Sequence, residues 1–113
     1  MNEDIDITVS INNEIKSNDV VLFMKGTPDF PMCGFSAAIV QVLKDMRIEF
    51  NSVNVLDNDK MRECIKEYSN WPTIPQLYVK EEFIGGCDIV KEMNDNGELL
   101  ELFNTKGVQV KSS

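Results

Sequence analysis

Short apolar runs alternate along this chain with stretches in which apolar residues recur every three or four positions, the signature of strands alternating with helices. Ser10, followed by Ile11, Glu14 and Ile15, predicts a short opening helix capped by the serine hydroxyl. Asp19 precedes VVLFMKG, a β-branched-rich run closed by Gly26 and Pro28, which predicts a strand buried on both faces. TPDFPMCGFS is a loop punctuated by two prolines. Beyond it Phe35, Ile39, Val42, Leu43 and Met46 form a helical apolar stripe, with Gln41, Lys44, Asp45 and Arg47 opposite. EFNSVNV predicts a second strand, with Val53 and Val55 on one face and Phe50, Ser52 and Asn54 on the other. Asp57 and Asn58 offer N-caps to a helix carrying Met61, Cys64, Ile65 and Tyr68. After a break at WPTIP, QLYV and EFIG pair as a hairpin. GGCD then opens a helix with Ile89, Val90 and Met93, and NDNG turns into a last helix with Leu99, Leu100, Leu102 and Phe103.

The order α-β-α-β-α-β-β-α-α sets a parallel, right-handed crossover at its start and an antiparallel hairpin at its end. Four strands in a mixed sheet with helices on both faces make an α/β fold of thioredoxin-like arrangement. With 113 residues and no repeat or linker-like stretch, residues 10–107 read as one domain. Residues 1–9 read as an acidic extension and 108–113 as a frayed tail.

Composition narrows the chemistry. Eleven Lys and Arg against nineteen Asp and Glu leave a net charge of −8, which argues against nucleic-acid or anionic-membrane partners. The longest apolar run, Val20 to Met24, is far too short to span a bilayer. MNEDIDITVS reads as neither a secretory signal nor an Arg-rich transit peptide. The chain has no histidine, which removes His-based triads and His-ligated metal sites. Its three cysteines, 33, 64 and 87, are too sparse for a disulfide scaffold and too widely spaced for a zinc knuckle. They read as reduced thiols, and hence predict a reducing, cytoplasmic compartment.

Cys33 is the sharpest feature, because it stands where a Pro-rich loop meets the start of a helix. Unpaired amides and the positive end of the helix dipole favour a thiolate there. Ser36 occupies the position where a dithiol motif carries its second cysteine, so no internal resolving thiol is available. A capping role for Ser36 is at least as good a reading as a catalytic one. In WPTIP, a cis Ile74–Pro75 bond in the bend before the strand would turn a backbone edge toward a neighbouring site, while Trp71 is equally a packing aromatic. In GGCD, Gly85 and Gly86 permit close backbone approach, and the helix opening at Cys87 or Asp88 presents amides to an anion. Cys87 reads equally as a packed small residue, and Cys64 as core. Lys25 and Arg62, ordinary surface charges on their own, become ligands for carboxylates if the fold turns them toward the Cys33 loop.

MKGTPDFPMCGFS, YSNWPTIPQLYV and FIGGCDIVKEM, in this order and spacing, resemble the monothiol glutaredoxins of the CGFS type, from about Ser10 to Gly107. The resemblance implies a thioredoxin-like fold, a cis Pro75 and glutathione bound beside Cys33. It further implies a [2Fe-2S] cluster ligated by Cys33 and shared by a homodimer, for iron–sulfur assembly, delivery or iron sensing. BolA-like proteins and iron–sulfur apoproteins are the partners it implies. By the same resemblance Lys25 and Arg62 hold the glycyl carboxylate of glutathione, the Ile74 backbone pairs with its cysteinyl part, and Cys87 and Asp88 hold the γ-glutamyl end. A glutathione-dependent oxidoreductase working by a monothiol route is the alternative. The hairpin turn Lys80-Glu81 departs from the Gly-containing pairs preferred in two-residue turns, which leaves its geometry open.

Overall fold

A computed structural model describes residues 3–108. The elements are α1 (Glu3–Ser17), β1 (Val20–Met24), α2 (Gly34–Asp45), β2 (Asn51–Asn54), α3 (Asp59–Ser69), β3 (Gln76–Val79), β4 (Glu82–Gly85), α4 (Cys87–Asp95) and α5 (Glu98–Thr105), with a 3₁₀ turn at Val55–Asp57 between β2 and α3. The sheet runs β2-β1-β3-β4, with β1 parallel to β2 and antiparallel to β3, and β3 antiparallel to β4. This is the thioredoxin-like arrangement the sequence predicts.

β1 shows why both faces are covered. Val20, Leu22 and Met24 pack with Ile39, Val40 and Leu43 of α2, Val90 of α4, and Leu99 and Phe103 of α5. Val21 and Phe23 point the other way, onto Ile7, Ile11 and Ile15 of α1 and Cys64 and Ile65 of α3. All five strand residues are buried, as a central strand between two helical layers requires. β2 is an edge strand: its Val53, with Val55 just beyond it, lies against the second layer, and Phe50 just before it against the first, the faces the sequence predicts.

The predicted strand EFNSVNV shortens to Asn51–Asn54, with Val55 opening the 3₁₀ turn, and the boundaries at both ends of the domain also differ from the sequence reading. α1 begins at Glu3, so Ser10 is an exposed mid-helix residue rather than a cap. Ile7, Ile11 and Ile15 form its buried stripe, and Glu3, Asp4 and Asp6 in the first turn with Lys16 in the last complement the helix dipole. At the other end, Val108 is buried, and its N–H donates to the Phe103 carbonyl at 2.9 Å, so the tail's first residue belongs to the core. The rest of VQVKSS lies outside the described residues. α2 keeps most of the predicted stripe, with Ile39 and Leu43 buried and Val42 and Met46 packed against them, but it departs at Phe35. Ser36, Ile39, Val40 and Leu43 are its buried residues, whereas Phe35 is 62% exposed. No helix among the described residues is long and apolar enough to cross a membrane.

The segment between β1 and α2 is folded back on itself. Thr27 and Phe30 exchange backbone hydrogen bonds at 3.0 and 3.2 Å, and the Met32 N–H donates to the Lys25 carbonyl at 2.9 Å. Gly26, at φ +92°, sits inside this knot: a Cβ there would lie 2.5 Å from the Phe30 carbonyl oxygen, so only glycine fits. The Asn54 side chain anchors the knot to β2 by accepting from the Gly26 N–H at 2.9 Å. The loop thereby ends with Cys33 close to Lys25, at the top of the sheet.

Candidate functional site

Cys33 is the N-cap of α2, in extended conformation (φ −152°, ψ 134°), and is partly exposed. Amide polarity governs its thiol. The Ser36 N–H has the largest effect and lowers the pKa; burial opposes it; the Phe35 N–H, the Lys25 charge and the Ser36 hydroxyl lower it further, and the net result is a depressed value. Ser36 itself is fully buried, and its Oγ accepts from the Lys25 N–H at 3.1 Å. It ties the first turn of α2 to the end of β1, the structural role that its place in the sequence left open.

Beside Cys33 lies a cavity of about 500 Å³, lined by Lys25, Cys33 and Phe35, by Lys66 of α3, by residues 71–75, and by residues 86–89 at the start of α4. Its size falls in the range of small-molecule clefts. Five of the six predicted site residues meet here: Lys25, Cys33, Ile74, Cys87 and Asp88. Arg62 does not line it. Its guanidinium lies 3.9 Å from Asp59 Oδ1, and the residue one helical turn further on, Lys66, faces the cavity instead. Lys66 was missed because it reads as an ordinary solvated lysine; its i+4 relation to Arg62 was the signal available.

The wall opposite Cys33 is the 71–75 loop. The Ile74–Pro75 peptide is cis. Trp71 packs on Phe83 with ring centroids 5.6 Å apart. Gly86 presses against this loop: a Cβ there would stand 3.2 Å from the Pro75 carbonyl oxygen and 3.3 Å from Trp71 Nε1. Gly86 is also the N-cap of α4, so Cys87 and Asp88 occupy the first turn, where amides lack intrahelical partners. Burial raises the Cys87 thiol, and burial also dominates the raised Cys64 thiol, which sits between α1 and α3 away from the cavity. Two helix N-termini and two lysines thus converge on one cleft of a chain with net charge −8, with Asp88 the one carboxylate among the lining residues.

The sequence matches the family model described as Glutaredoxin over residues 20–84, more than half of the chain and the stretch that carries the Cys33 loop and the 71–75 wall. The chain belongs to the glutaredoxin family. Its curated relatives are monothiol glutaredoxins. This glutaredoxin is 59% identical over 87 residues to the Arabidopsis thaliana protein named monothiol glutaredoxin-S14, chloroplastic, a match covering 77% of this chain and 50% of that one. It is 52% identical over 100 residues to monothiol glutaredoxin-5, mitochondrial, of Saccharomyces cerevisiae, covering 86% of this chain and 67% of that one. The chain therefore spans half the length of the Arabidopsis relative. Among solved structures, a monomeric truncated mutant of Trypanosoma brucei 1-C-Grx1 superposes with a TM-score of 0.85 at 42% identity, over 94% of this glutaredoxin and 96% of that chain. The two curated names correct one expectation. Relatives this similar are named for the mitochondrion and the chloroplast, so the cytoplasmic compartment inferred from reduced cysteines does not stand. Free thiols report a reducing environment, and that is not unique to the cytoplasm.

Proposed function

We propose that this glutaredoxin binds glutathione in the cavity beside Cys33 and, as a homodimer, carries a [2Fe-2S] cluster as cargo for iron–sulfur assembly or transfer. The observation that carries the reading is the charge layout of the cleft around a thiolate-favouring cysteine. Glutathione has a carboxylate at each end and one ammonium at the γ-glutamyl end. Lys25 and Lys66 supply cations for the glycyl carboxylate, with Arg62 one turn away on α3. The Ile74 backbone lies between the two ends. The first-turn amides of α4 suit the γ-glutamyl carboxylate, and Asp88 suits the ammonium.

The donor set agrees with a shared cluster. Such a cluster takes four terminal ligands, usually thiolates. No group of three or more metal-ligating side chains occurs among the described residues. Of the two thiols lining the cleft, Cys33 is held low and Cys87 is raised by burial in the first turn of α4, so one chain offers Cys33, and two Cys33 thiolates with two glutathione thiolates complete the set. The partners that follow are iron–sulfur apoproteins and, from the family resemblance, BolA-like proteins.

The test is the absorption spectrum and light scattering of protein reconstituted anaerobically with iron and sulfide, with and without glutathione. Visible charge-transfer bands on a dimer that requires glutathione are the expected result. A cluster on a monomer, or on a dimer free of glutathione, overturns the ligand count. A second reading is a monothiol, glutathione-dependent oxidoreductase, and the depressed Cys33 thiol favours it. In that route the Cys33 thiolate attacks the glutathione sulfur of a mixed disulfide and releases the other thiolate. A second glutathione then attacks the Cys33–glutathione disulfide and leaves as glutathione disulfide. Rapid turnover of a glutathionylated substrate by colourless protein distinguishes it from the carrier.

A further inference from the structure

Gln76 is the first residue of β3 and is fully buried, one of two buried polar side chains among the described residues. Its Nε2 donates to the carbonyl oxygens of Trp71 at 3.3 Å and Thr73 at 3.2 Å. Both carbonyls belong to the loop that walls the cavity, yet Gln76 does not itself line the cavity. Its Oε1 is buried with no hydrogen-bond partner among the described residues. An amide with an orphaned acceptor is a poor device for stability, because an apolar side chain of similar shape avoids that desolvation cost. The two donated bonds instead cross-brace the loop, and Gly86 meets the same loop at the Pro75 carbonyl and the Trp71 indole.

We propose that Gln76 is a positioning residue for ligand binding, fixing Trp71 and Thr73, and with them Ile74, in the shape that receives the peptide backbone of glutathione. This rests on the glutathione reading of the cavity. The cleft needs such a brace. Between Trp71 and β3 the chain has no helix or strand ladder of its own, and the Trp71 and Thr73 carbonyls take their bonds from the Gln76 side chain instead.

The test compares wild-type protein with Gln76→Leu and Gln76→Glu, by calorimetric titration with glutathione, thermal unfolding and the emission of Trp71, the only tryptophan in the chain. Gln76→Leu removes both bonds and the orphaned oxygen together. Its expected signature is an unchanged unfolding midpoint with glutathione affinity weakened roughly ten-fold. Gln76→Glu keeps the shape but donates only when protonated. Burial and two facing carbonyl oxygens disfavour its charged form, so the pKa of the new carboxyl lies above the usual value of about 4.3. Affinity is then close to wild type at low pH and falls as pH rises through that raised value, with Trp71 emission changing in step. Lys25, Cys33, Lys66, Cys87 and Asp88, the titratable groups that line the cavity, and Tyr78, the one that shares β3 with Gln76, are common to both proteins, as are the charges elsewhere on α3, β4 and α4, so the variant-to-wild-type ratio cancels them.

Unchanged affinity in Gln76→Leu, or a flat ratio in Gln76→Glu, overturns the proposal. If Gln76→Leu does not fold, Gln76→Glu carries the test alone, through the same pH profile. Wild-type protein that takes up no glutathione overturns the functional reading. The pH-dependent Trp71 emission of Gln76→Glu then still decides whether Gln76 holds the loop.

Discussion

The three cysteines are one chemical group in three surroundings, and the surroundings separate them. Amides at the start of α2 hold Cys33 low, while burial pushes Cys64 and Cys87 up. Limited alkylation near neutral pH, read by mass spectrometry, is therefore expected to label Cys33 first. The rate-against-pH midpoint for Cys33 should fall below about 8.5, and those of the other two above it. Tyr78 shows the same logic in an alkaline range. Burial, with a smaller push from Tyr68, raises its phenol to about 12. A raised acid binds its proton in the folded state after the unfolded chain has released it, so stability falls as pH climbs from 10 toward 12. Tyr78→Phe should remove about 1 kcal/mol of that loss at pH 11 relative to wild type, in denaturant titrations at pH 8 and 11. The candidate site was legible where a residue is fixed by its neighbours in sequence: Cys33 by its helix start, Ile74 by Pro75, Cys87 and Asp88 by the paired glycines. Lys66 was not, because which turn of α3 faces the cleft is decided by packing of Cys64 and Ile65 rather than by the charge pattern. Lys66→Ala is accordingly expected to weaken glutathione binding roughly ten-fold, and Arg62→Ala less; equal losses in calorimetry would return Arg62 to the first rank.

Among the elements, the β3–β4 hairpin is the one whose local chemistry opposes its geometry. Lys80 and Glu81 both take positive φ, 49° and 70°, as the twist of the strands requires and as side-chain-bearing residues resist. The turn is held from outside. The Lys80 N–H donates to the Asp19 carbonyl at 2.7 Å, and its ammonium stands 3.1 Å from Asp19 Oδ1. Glu81→Gly relieves the backbone without touching those contacts. It should raise stability by about 0.5–1 kcal/mol, seen as a higher denaturant midpoint at unchanged slope. A lower midpoint would place the strain elsewhere. The sheet and its helices were otherwise readable from apolar pattern together with its punctuation: VVLFM, a short β-branched-rich run closed by Gly26 and Pro28, is buried throughout as the central strand it suggests. Period failed at α1 for a specific reason. Its first two turns, Glu3–Val9, expose every residue but Ile7, so the acidic residues masked a stripe that Ile11 and Ile15 continue. It failed at Phe35 because Ser36, whose hydroxyl has a backbone partner to satisfy, took the inward place.

At the scale of the whole molecule, charge and apolar surface pull in opposite directions. Each chain carries −8, so two copies repel at long range. Around Cys33, however, Phe30, Met32 and Phe35 are 76%, 70% and 62% exposed, and the neighbouring cleft is cationic. On the proposed function, a cluster shared through Cys33 would bring these faces together, burying the three apolar side chains and leaving the acidic surface outside. Salt screens the outer repulsion over roughly 8–10 Å without weakening apolar burial. The glutathione-dependent, cluster-loaded dimer is therefore expected to tighten as ionic strength rises from about 20 to 300 mM, the opposite of an assembly held by ion pairs. Phe35→Ser should lower the dimer fraction at every salt concentration. Cys33→Ser should abolish dimer and visible bands together, and Cys64→Ser should preserve both. Sedimentation of anaerobically reconstituted protein reads all four. A dimer that salt dissolves, or one indifferent to Phe35→Ser, would mean that the copies meet through some other face and that the exposed ring around Cys33 serves a different contact.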